Sequence, residues 1–277
     1  MCLIVFAWRR HPNRRLIVAA NRDEYFARPA ASAAFWEDHP GVLGGRDLEA
    51  GGTWLAITLE GRFAALTNYR NPADRKTSAP SRGALVRDFL TGNTAPRKYL
   101  EELEKHAGDF NGFSLLVGDA ASLWFFSNRD GSPTRVEPGV HGLSNHLLDT
   151  PWPKVEKAKT NFARLLAESF DAEGALALLD DTGRAPQDEL PSTGVSLELE
   201  ERLSAIRIPA VNGYGTRCST ALCIAADGKI EFHERSWRED GRASGTVSYR
   251  LTLESEKVRA SSRGVESPPP KTPLPAR

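Results

Sequence analysis

Two apolar runs near the start of the chain, CLIVFAW over residues 2–8 and RLIVAA over 15–20, are separated by a polar turn that contains Pro12 and Asn13. Each is far too short to cross a bilayer. Each is rich in Val, Ile and Leu and bounded by turn residues, the pattern of a buried strand. Joined so closely, the two are predicted to pair as a hairpin, and the rest of the fold must be built on that ribbon.

The pattern recurs. WLAITLEGRFAALTNY (54–69) places alternating segments around Glu60 and Gly61, a second hairpin signal because glycine reaches positive φ without steric cost. SRGALVRDFL (81–90), with Ser81 as its expected cap, and APRKYLEELEKHA (95–107), with Pro96 near its start and Leu100 and Leu103 on one face, read as a helical pair covering a sheet. GFSLLVGD and SLWFFSN, turning at Ala120 and Ala121, return to strand. A helix from about Trp152 to Phe170 puts Val155, Ala158, Phe162 and Leu165 on one face, and residues 171–200 carry only short helical signals. TRCSTALCIAADGKIEFHERSW (216–237) is a strand, an Asp227-Gly228 turn and a strand, and GTVSYRLTL (245–253) is one strand more. Antiparallel hairpins interrupted by helical blocks predict a layered α+β fold rather than a doubly wound parallel sheet, with residues 1–253 as one domain. The Pro- and Ser-rich stretch 254–277 cannot build a core and is predicted to be a disordered tail.

Charge excludes several functions. Lys and Arg together number 36, as do Asp and Glu, so no net charge steers the chain toward nucleic acid or anionic lipid. Three cysteines, Cys2, Cys218 and Cys223, are too few for a disulfide scaffold and form no C-x-x-C pair, which fits a reducing, cytoplasmic setting. Arg9, Arg10, Arg14 and Arg15 follow the first apolar run, the reverse of a secretory signal, and no membrane insertion is expected. Cys218 and Cys223, five apart on one strand, point to opposite faces and cannot share a metal. His141 and His146 flank GLSN and could ligate a metal or haem, but no zinc spacing or haem-attachment motif accompanies them, so no metal or required cofactor is expected. GVLGGRDLEAGGTW (41–54) lacks the lysine of a P-loop and the spacing of a dinucleotide fingerprint, and reads as a tight loop near the site. No pattern in the sequence sets an oligomeric state.

Cys2 carries the most chemical promise. Removal of Met1 gives it a free α-amine beside its thiol, a nucleophile with its own base; otherwise it is a small hydrophobe in a strand. In VAANRDEYFARP (18–29) an apolar strand runs abruptly into Asn21, Arg22, Asp23 and Glu24. Read alone, that tetrad is a solvated turn. Once the first hairpin pairs, however, the end of its second strand lies beside the start of its first, which brings Arg22 and Asp23 to Cys2. A guanidinium there favours the thiolate, and a carboxylate orients the amine. Attack on a carbonyl also needs donors for the oxyanion, and Asn68, ending RFAALTN, and Asn145, in HGLSNHLLDTPWPK, are candidates that would otherwise be turn or cap residues. Arg217, at the head of RCSTALCI, is a weaker candidate for holding a carboxylate or phosphate.

Together MCLIVFAW, VAANRDEYFARP, GGRDLEAGGTWLAIT, GRFAALTNYRNP, NGFSLLVGD, GLSNHLLDTPWPKV and YGTRCSTALCI resemble the NRDE family, also called the transport and Golgi organization protein 2 family, from Met1 to about Trp237. The resemblance implies a fold similar to the N-terminal nucleophile hydrolases, a four-layer αββα sandwich of two antiparallel sheets between helices. It invites comparison with choloylglycine hydrolases and penicillin V acylases, in which a processed N-terminal cysteine attacks an amide. By that likeness Cys2 is the nucleophile, Arg22 and Asp23 assist it, and Asn68 and Asn145 serve the oxyanion. Arg and Asp are adjacent here whereas the hydrolases separate them, which makes Glu24 a rival for the Asp23 role. Asn21, Glu24 and Arg217 are the ligand-binding candidates. Two functions are implied: a cysteine amidohydrolase that cuts a small C–N amide through an acyl-thioester, or a carrier of haem or acyl-coenzyme A in which Arg22 or Arg217 meets the anionic group.

Overall fold

The first hairpin forms where its apolar runs predict, but both strands run further than those runs. In the computed structural model, which describes residues 2–168 and 170–253, β1 is Cys2–His11 and β2 is Arg14–Tyr25. The expected disordered tail lies outside the described residues. Cys2 lies opposite Arg22, Ile4 opposite Ala20 and Trp8 opposite Leu16. A bulge at Arg9 and Arg10, where Arg9 adopts φ 47°, then shifts the pairing so that His11 meets Arg14.

Alternation along this ribbon explains why it reads as continuously apolar. Ile4, Phe6, Trp8, Leu16, Val18 and Ala20 enter one core, while Leu3, Val5, Ala7, Ile17 and Ala19 enter another on the opposite face. The ribbon therefore sits between two layers. Its sheet has the order β10-β1-β2-β11-β12-β13, with β10 Gly139–Leu143, β11 Tyr214–Ala225, β12 Lys229–Trp237 and β13 Ala243–Thr252. A second sheet stacks on it in the order β3-β4-β5-β6-β7-β8-β9, formed by Ala30–Phe35, Val42–Asp47, Leu55–Thr58, Phe63–Asn68, Phe113–Gly118, Leu123–Ser127 and Thr134–Arg135. All pairings in both sheets are antiparallel.

Helices close the two outer faces. α1 (Gly83–Thr91) and α2 (Pro96–Glu104) bury Leu85, Val86, Phe89, Leu100 and Leu103 against Ala64, Leu115 and Val117 of the second sheet. α3 (Pro153–Glu168) and α4 (Ala172–Leu178) bury Val155, Ala158, Phe162 and Leu176 against Leu3, Val5 and Ile17 of the first. The layers are helix, sheet, sheet, helix, as the family resemblance implies. α5 (Leu197–Leu203) lies in the polar region before β11. No described helix is long and apolar enough to cross a membrane.

Several expectations need correction. β2 does not stop at Ala20 but carries Asn21 to Tyr25 within the sheet, so the tetrad is strand rather than solvated turn. Residues 41–54 are not one loop, because Val42–Asp47 pairs as β4 and only the stretch after it turns. Ser81 does not cap α1 with its side chain; Arg82 holds the cap position, and Ser81 offers only its carbonyl to the Ala84 N–H at 3.2 Å. Strands β3 and β10 carry too little apolar alternation to have been expected. One close approach matters for the site: a Cβ on Gly52 would lie 2.4 Å from the Gly83 carbonyl carbon, so glycine there lets the β4–β5 turn touch the start of α1 and brings Arg82 inward.

Candidate functional site

The site grows from the alternation of β2. Asn21 and Asp23 share the face of Ala19, toward the helices, while Arg22 and Glu24 share the face of Ala20, toward the second sheet. Cys2, opposite Arg22, shares the latter face. Arg22 is 6% exposed and its guanidinium lies 4.2 Å above the Trp54 ring. The neighbouring Asp23 contributes its backbone N–H to the Cys2 thiol. Burial pushes the Cys2 thiol up, and the charge of Asp23 adds to that, while Arg22 pulls the other way.

Asp23 is 1% exposed and its Oδ1 accepts a hydrogen bond from Thr216 Oγ1 at 2.6 Å. Burial raises its pKa, opposed first by Lys154, then by the Thr216 bond and by Arg70. Lys154, the second residue of α3, is 2% exposed, and its Nζ has no hydrogen-bond partner among the described residues. Burial lowers it to about 8. Arg70, just beyond β6, pairs with Glu200 of α5 at 2.5 Å and lies 4.7 Å over Trp152; its N–H bonds the Asn145 carbonyl at 2.8 Å. Glu24 turns into the open cleft, and its Oε1 accepts the Tyr25 N–H. Asp23 rather than Glu24 is therefore the carboxylate that adjoins Cys2.

The two asparagines are laced together. Asn145 is 0% exposed and donates from Nδ2 to the Asn68 carbonyl at 2.9 Å, while Ser144 Oγ donates to the Cys2 carbonyl at 2.9 Å and Thr67 Oγ1 to the Ser144 carbonyl at 2.5 Å. The ends of β1, β6 and β10 are thus one unit. Asn68 lines the cavity that holds Cys2, whereas Asn145 lines an adjoining larger one and spends one amide hydrogen on Asn68.

Other candidates are placed elsewhere. Asn21 faces the helices and is consumed there, donating to Leu179 and Ile206 carbonyls at 2.9 Å and accepting from Ser219 Oγ at 2.6 Å; it is a clamp between layers and not a ligand contact. Arg217 donates to the Tyr25 and Arg28 carbonyls and stacks on Phe26, which latches the segment after β2 instead of opening to the cleft. His141 is bonded to Asp149 and the Glu137 carbonyl, and His146 to Tyr69 and Thr150, so both rings spend both nitrogens within the chain. Cys218 and Cys223 do point to opposite faces, Cys218 in the row of Arg22 and Cys223 toward the helices, and burial raises both thiols.

Two cavities meet at this point. The smaller, about 340 Å³, is lined by Cys2, Arg22, Asp23, Thr53 and Trp54; the larger, about 1120 Å³, shares Glu24, Arg28, Asn68 and Arg82 with it. Arg75, Lys76, Arg82, Arg129 and Arg202 line the larger cavity against the carboxylates Glu24 and Asp74, and Tyr25, Leu199, Val211 and Tyr214 supply an apolar side. Arg82, Arg70 and Trp54 line these cavities although composition and spacing did not single them out, and neither did they single out the buried Lys154, which lines neither. Lys154 left one signal: a cation in the first turn of a helix opposes the helix dipole, and such a local conflict marks a position held for another reason.

The chain matches the family described as Transport and Golgi organisation 2 over residues 1–239. The Transport and Golgi organization protein 2 homolog of Homo sapiens is 34% identical over 277 residues, covering 92% of this chain and 100% of that protein. The Transport and Golgi organization protein 2 of Drosophila melanogaster is 30% identical over 266 residues, covering 85% and 92%. Among solved structures, a Caenorhabditis elegans N-acylethanolamine-hydrolyzing acid amidase ortholog aligns with a TM-score of 0.47 at 11% identity, covering 80% of this chain and 92% of that one. A mutant conjugated bile acid hydrolase from Clostridium perfringens aligns at 0.36 and 8%, covering 92% of each. With the family model matched along most of its length and relatives aligned nearly end to end, the chain belongs to the Transport and Golgi organisation 2 family.

Proposed function

We propose that this chain is a cysteine amidohydrolase that cleaves a small C–N amide through an acyl-thioester. The observation that carries the reading is the meeting of Cys2 with Arg22, the Asp23 N–H and Asn68 at the junction of two cavities. Burial favours the protonated thiol, so attack needs a base within reach, and the α-amine that removal of Met1 would free on Cys2 supplies one. In that scheme the amine takes the thiol proton and the sulfur attacks the carbonyl carbon. Asn68 donates to the oxyanion, and the C–N bond breaks as the leaving nitrogen takes the proton back. Water, giving its proton to the same amine, then hydrolyses the thioester and restores the thiol. Asp23 holds the amine in place and Arg22 favours the sulfur anion.

The test is the intact mass of the protein before and after a thiol-directed acylating probe, with Cys2→Ala as control, followed by an amide panel. Loss of Met1 with rapid labelling that Cys2→Ala abolishes supports turnover. Retained Met1 with sluggish labelling refutes it.

A second reading, a carrier of an amphipathic anion such as haem or acyl-coenzyme A, is favoured by the larger cavity with its cationic and apolar sides. In this reading the anion is met by Arg75, Arg82 or Arg129, since Arg217 is latched elsewhere and Arg22 is stacked on Trp54. Titration with haem and with acyl-coenzyme A, repeated on Arg82→Ala, checks it: binding that ignores the substitution removes Arg82 from that role.

A further inference from the structure

The end of β6 is fastened to residues 144–146 rung by rung. Thr67 Oγ1 donates to the Ser144 carbonyl, Asn145 Nδ2 to the Asn68 carbonyl and the Arg70 N–H to the Asn145 carbonyl, at 2.5, 2.9 and 2.8 Å. Tyr69 lies inside this lacing, with its own N–H on the Gly112 carbonyl at 2.9 Å, and it lines the larger cavity. Its hydroxyl meets His146 Nε2 at 2.7 Å, the two ring centroids being 4.7 Å apart.

Counting hydrogens fixes the direction of every bond behind that hydroxyl. Thr150 Oγ1 has one hydrogen and spends it on the Leu147 carbonyl at 2.9 Å, since a carbonyl can only accept. The same oxygen lies 2.9 Å from His146 Nδ1, so there it accepts, and Nδ1 carries the imidazole hydrogen. Burial lowers the His146 pKa, with Asp130 pulling the other way, which keeps the ring neutral near neutral pH. A neutral ring with its hydrogen on Nδ1 has a bare lone pair on Nε2, so Tyr69 donates to it. The phenol hydrogen is thereby committed inside the protein, and what stays free on the Tyr69 oxygen is acceptor capacity.

The larger cavity can use such an acceptor. Arg75, Arg82 and Arg202 on its wall suit the anionic end of a ligand, but a hydroxyl or N–H on the same ligand needs an oxygen to bond. The carboxylates on the wall, Glu24 and Asp74, repel an anion, and Asp74 already holds Arg129 at 3.3 Å and Asn71 Nδ2 at 3.0 Å. Tyr69 accepts without charge.

We infer that Tyr69 is a fixed hydrogen-bond acceptor of the larger cavity, held in that role by His146, and that the ligand of this cavity is an anion that also carries a hydroxyl or N–H donor. A ligand offering only acceptors there would set lone pairs against lone pairs. His146 lines neither cavity and is a positioning residue, acting by holding the phenol hydrogen. The ligand class rests on the larger cavity taking an anion, as in the carrier reading; the direction of the hydrogen bonds does not.

Calorimetric titration of the full chain with the isomers of hydroxynaphthyl phosphate and the matching methoxynaphthyl phosphates tests this, because each pair differs in donor capacity and keeps the anion and the rings. At least one hydroxy isomer should bind about tenfold more tightly than its methoxy partner. Tyr69→Phe should erase that preference and leave the methoxy affinity within about twofold; a preference that survives it is steric and overturns the inference. His146→Phe keeps a ring against Tyr69 and Trp152 but frees the phenol hydrogen to turn into the cavity, so the methoxy compound should gain and the preference shrink. A merely structural role would weaken both compounds alike. Nitrogen–proton NMR of the wild type should show the His146 ring, assigned through its bonds to the backbone, protonated on Nδ1; protonation on Nε2 overturns the inference. If His146→Phe does not fold, Tyr69→Phe, which removes one oxygen, decides. Every pair binding within about twofold overturns the inference and leaves the carrier reading standing. Binding of neither member of any pair sinks the carrier reading, and the ligand class falls with it.

Discussion

Replacing Glu200 with alanine strips Arg70 of its carboxylate at a place where water cannot substitute. The two side chains are 6% and 3% exposed, and their nearest atoms are 2.5 Å apart. Unit charges about 4 Å apart attract by about 4 kcal/mol at an effective dielectric near 20. Truncating one partner of a buried pair costs about 3–5 kcal/mol, because the remaining charge stays desolvated. Alanine also releases the Thr193 N–H and hydroxyl, which both bond Glu200 Oε1. The expected loss is therefore about 3–5 kcal/mol, or roughly 6–20 °C in Tm for a domain of this size. Urea unfolding with linear extrapolation measures it, with calorimetry as a second probe. The control is Arg70→Met with Glu200→Leu, which removes both charges and should recover most of the loss. A loss under about 1 kcal/mol for Glu200→Ala, or a double variant less stable than the single, would refute the reasoning.

Cys2→Ala should leave the unfolding free energy within about 1 kcal/mol of wild type while abolishing thiol labelling near neutral pH, since Cys2 opens on the smaller cavity whereas Cys218 and Cys223 are buried and line neither cavity; intact mass reads the label. Gly52→Ala should cost about 1–3 kcal/mol and slow Cys2 labelling, because its Cβ would press within 2.4 Å of Gly83 and displace Arg82 from the cavity; urea unfolding and labelling rate check the two effects together. Burial opposes the charge on His141, but the Asp149 hydrogen bond, the Glu137 carbonyl and the Asp149 charge together outweigh it and raise the imidazole pKa, while Asp149, despite burial, is held down to about 2 by His141, Gly142 and Lys159. The raised His141 stabilises fully below its ordinary pKa and loses that contribution as pH rises through the folded value; the depressed Asp149 stabilises above the usual carboxylate range and loses its contribution as pH falls toward about 2. Asp149→Asn should therefore narrow the difference between urea midpoints at about pH 6 and pH 8.5, and an unchanged difference would remove His141 from the account.

The hairpins β1–β2, β5–β6 and β7–β8 were legible because their strands are buried on both faces, so apolar runs and turn residues coincide. The helices α1 to α3 were legible from one-sided periodicity. β3 was not, because AASAAF alternates small residues that bury little, and β10 was not, because GVHGL owes its place to pairing with β1 rather than to its own side chains. The proximity of Arg22 and Asp23 to Cys2 followed from hairpin geometry alone. What the sequence could not convey was the direction of each side chain: Asn21 and Arg217 are polar residues at strand positions, and only the layers above them decide that they clamp backbone carbonyls. Arg82 enters the site through packing of the start of α1 against the turn after β4, a contact that no local pattern records.

The bulge at Arg9 and Arg10 governs where this chain can change length. Because Trp8 meets Leu16 but His11 meets Arg14, the hairpin already carries one surplus residue on its first arm. Loss of Arg9 or Arg10 would absorb that surplus into a regular ladder and leave Cys2 opposite Arg22. Loss of any single residue between Leu3 and Trp8 would instead rotate Cys2 into step with Asn21, turning the thiol out of the cleft and under the helices. Insertions and deletions in descendants of this sequence should therefore gather at the hairpin tip, while the six residues that follow Cys2 keep a fixed count.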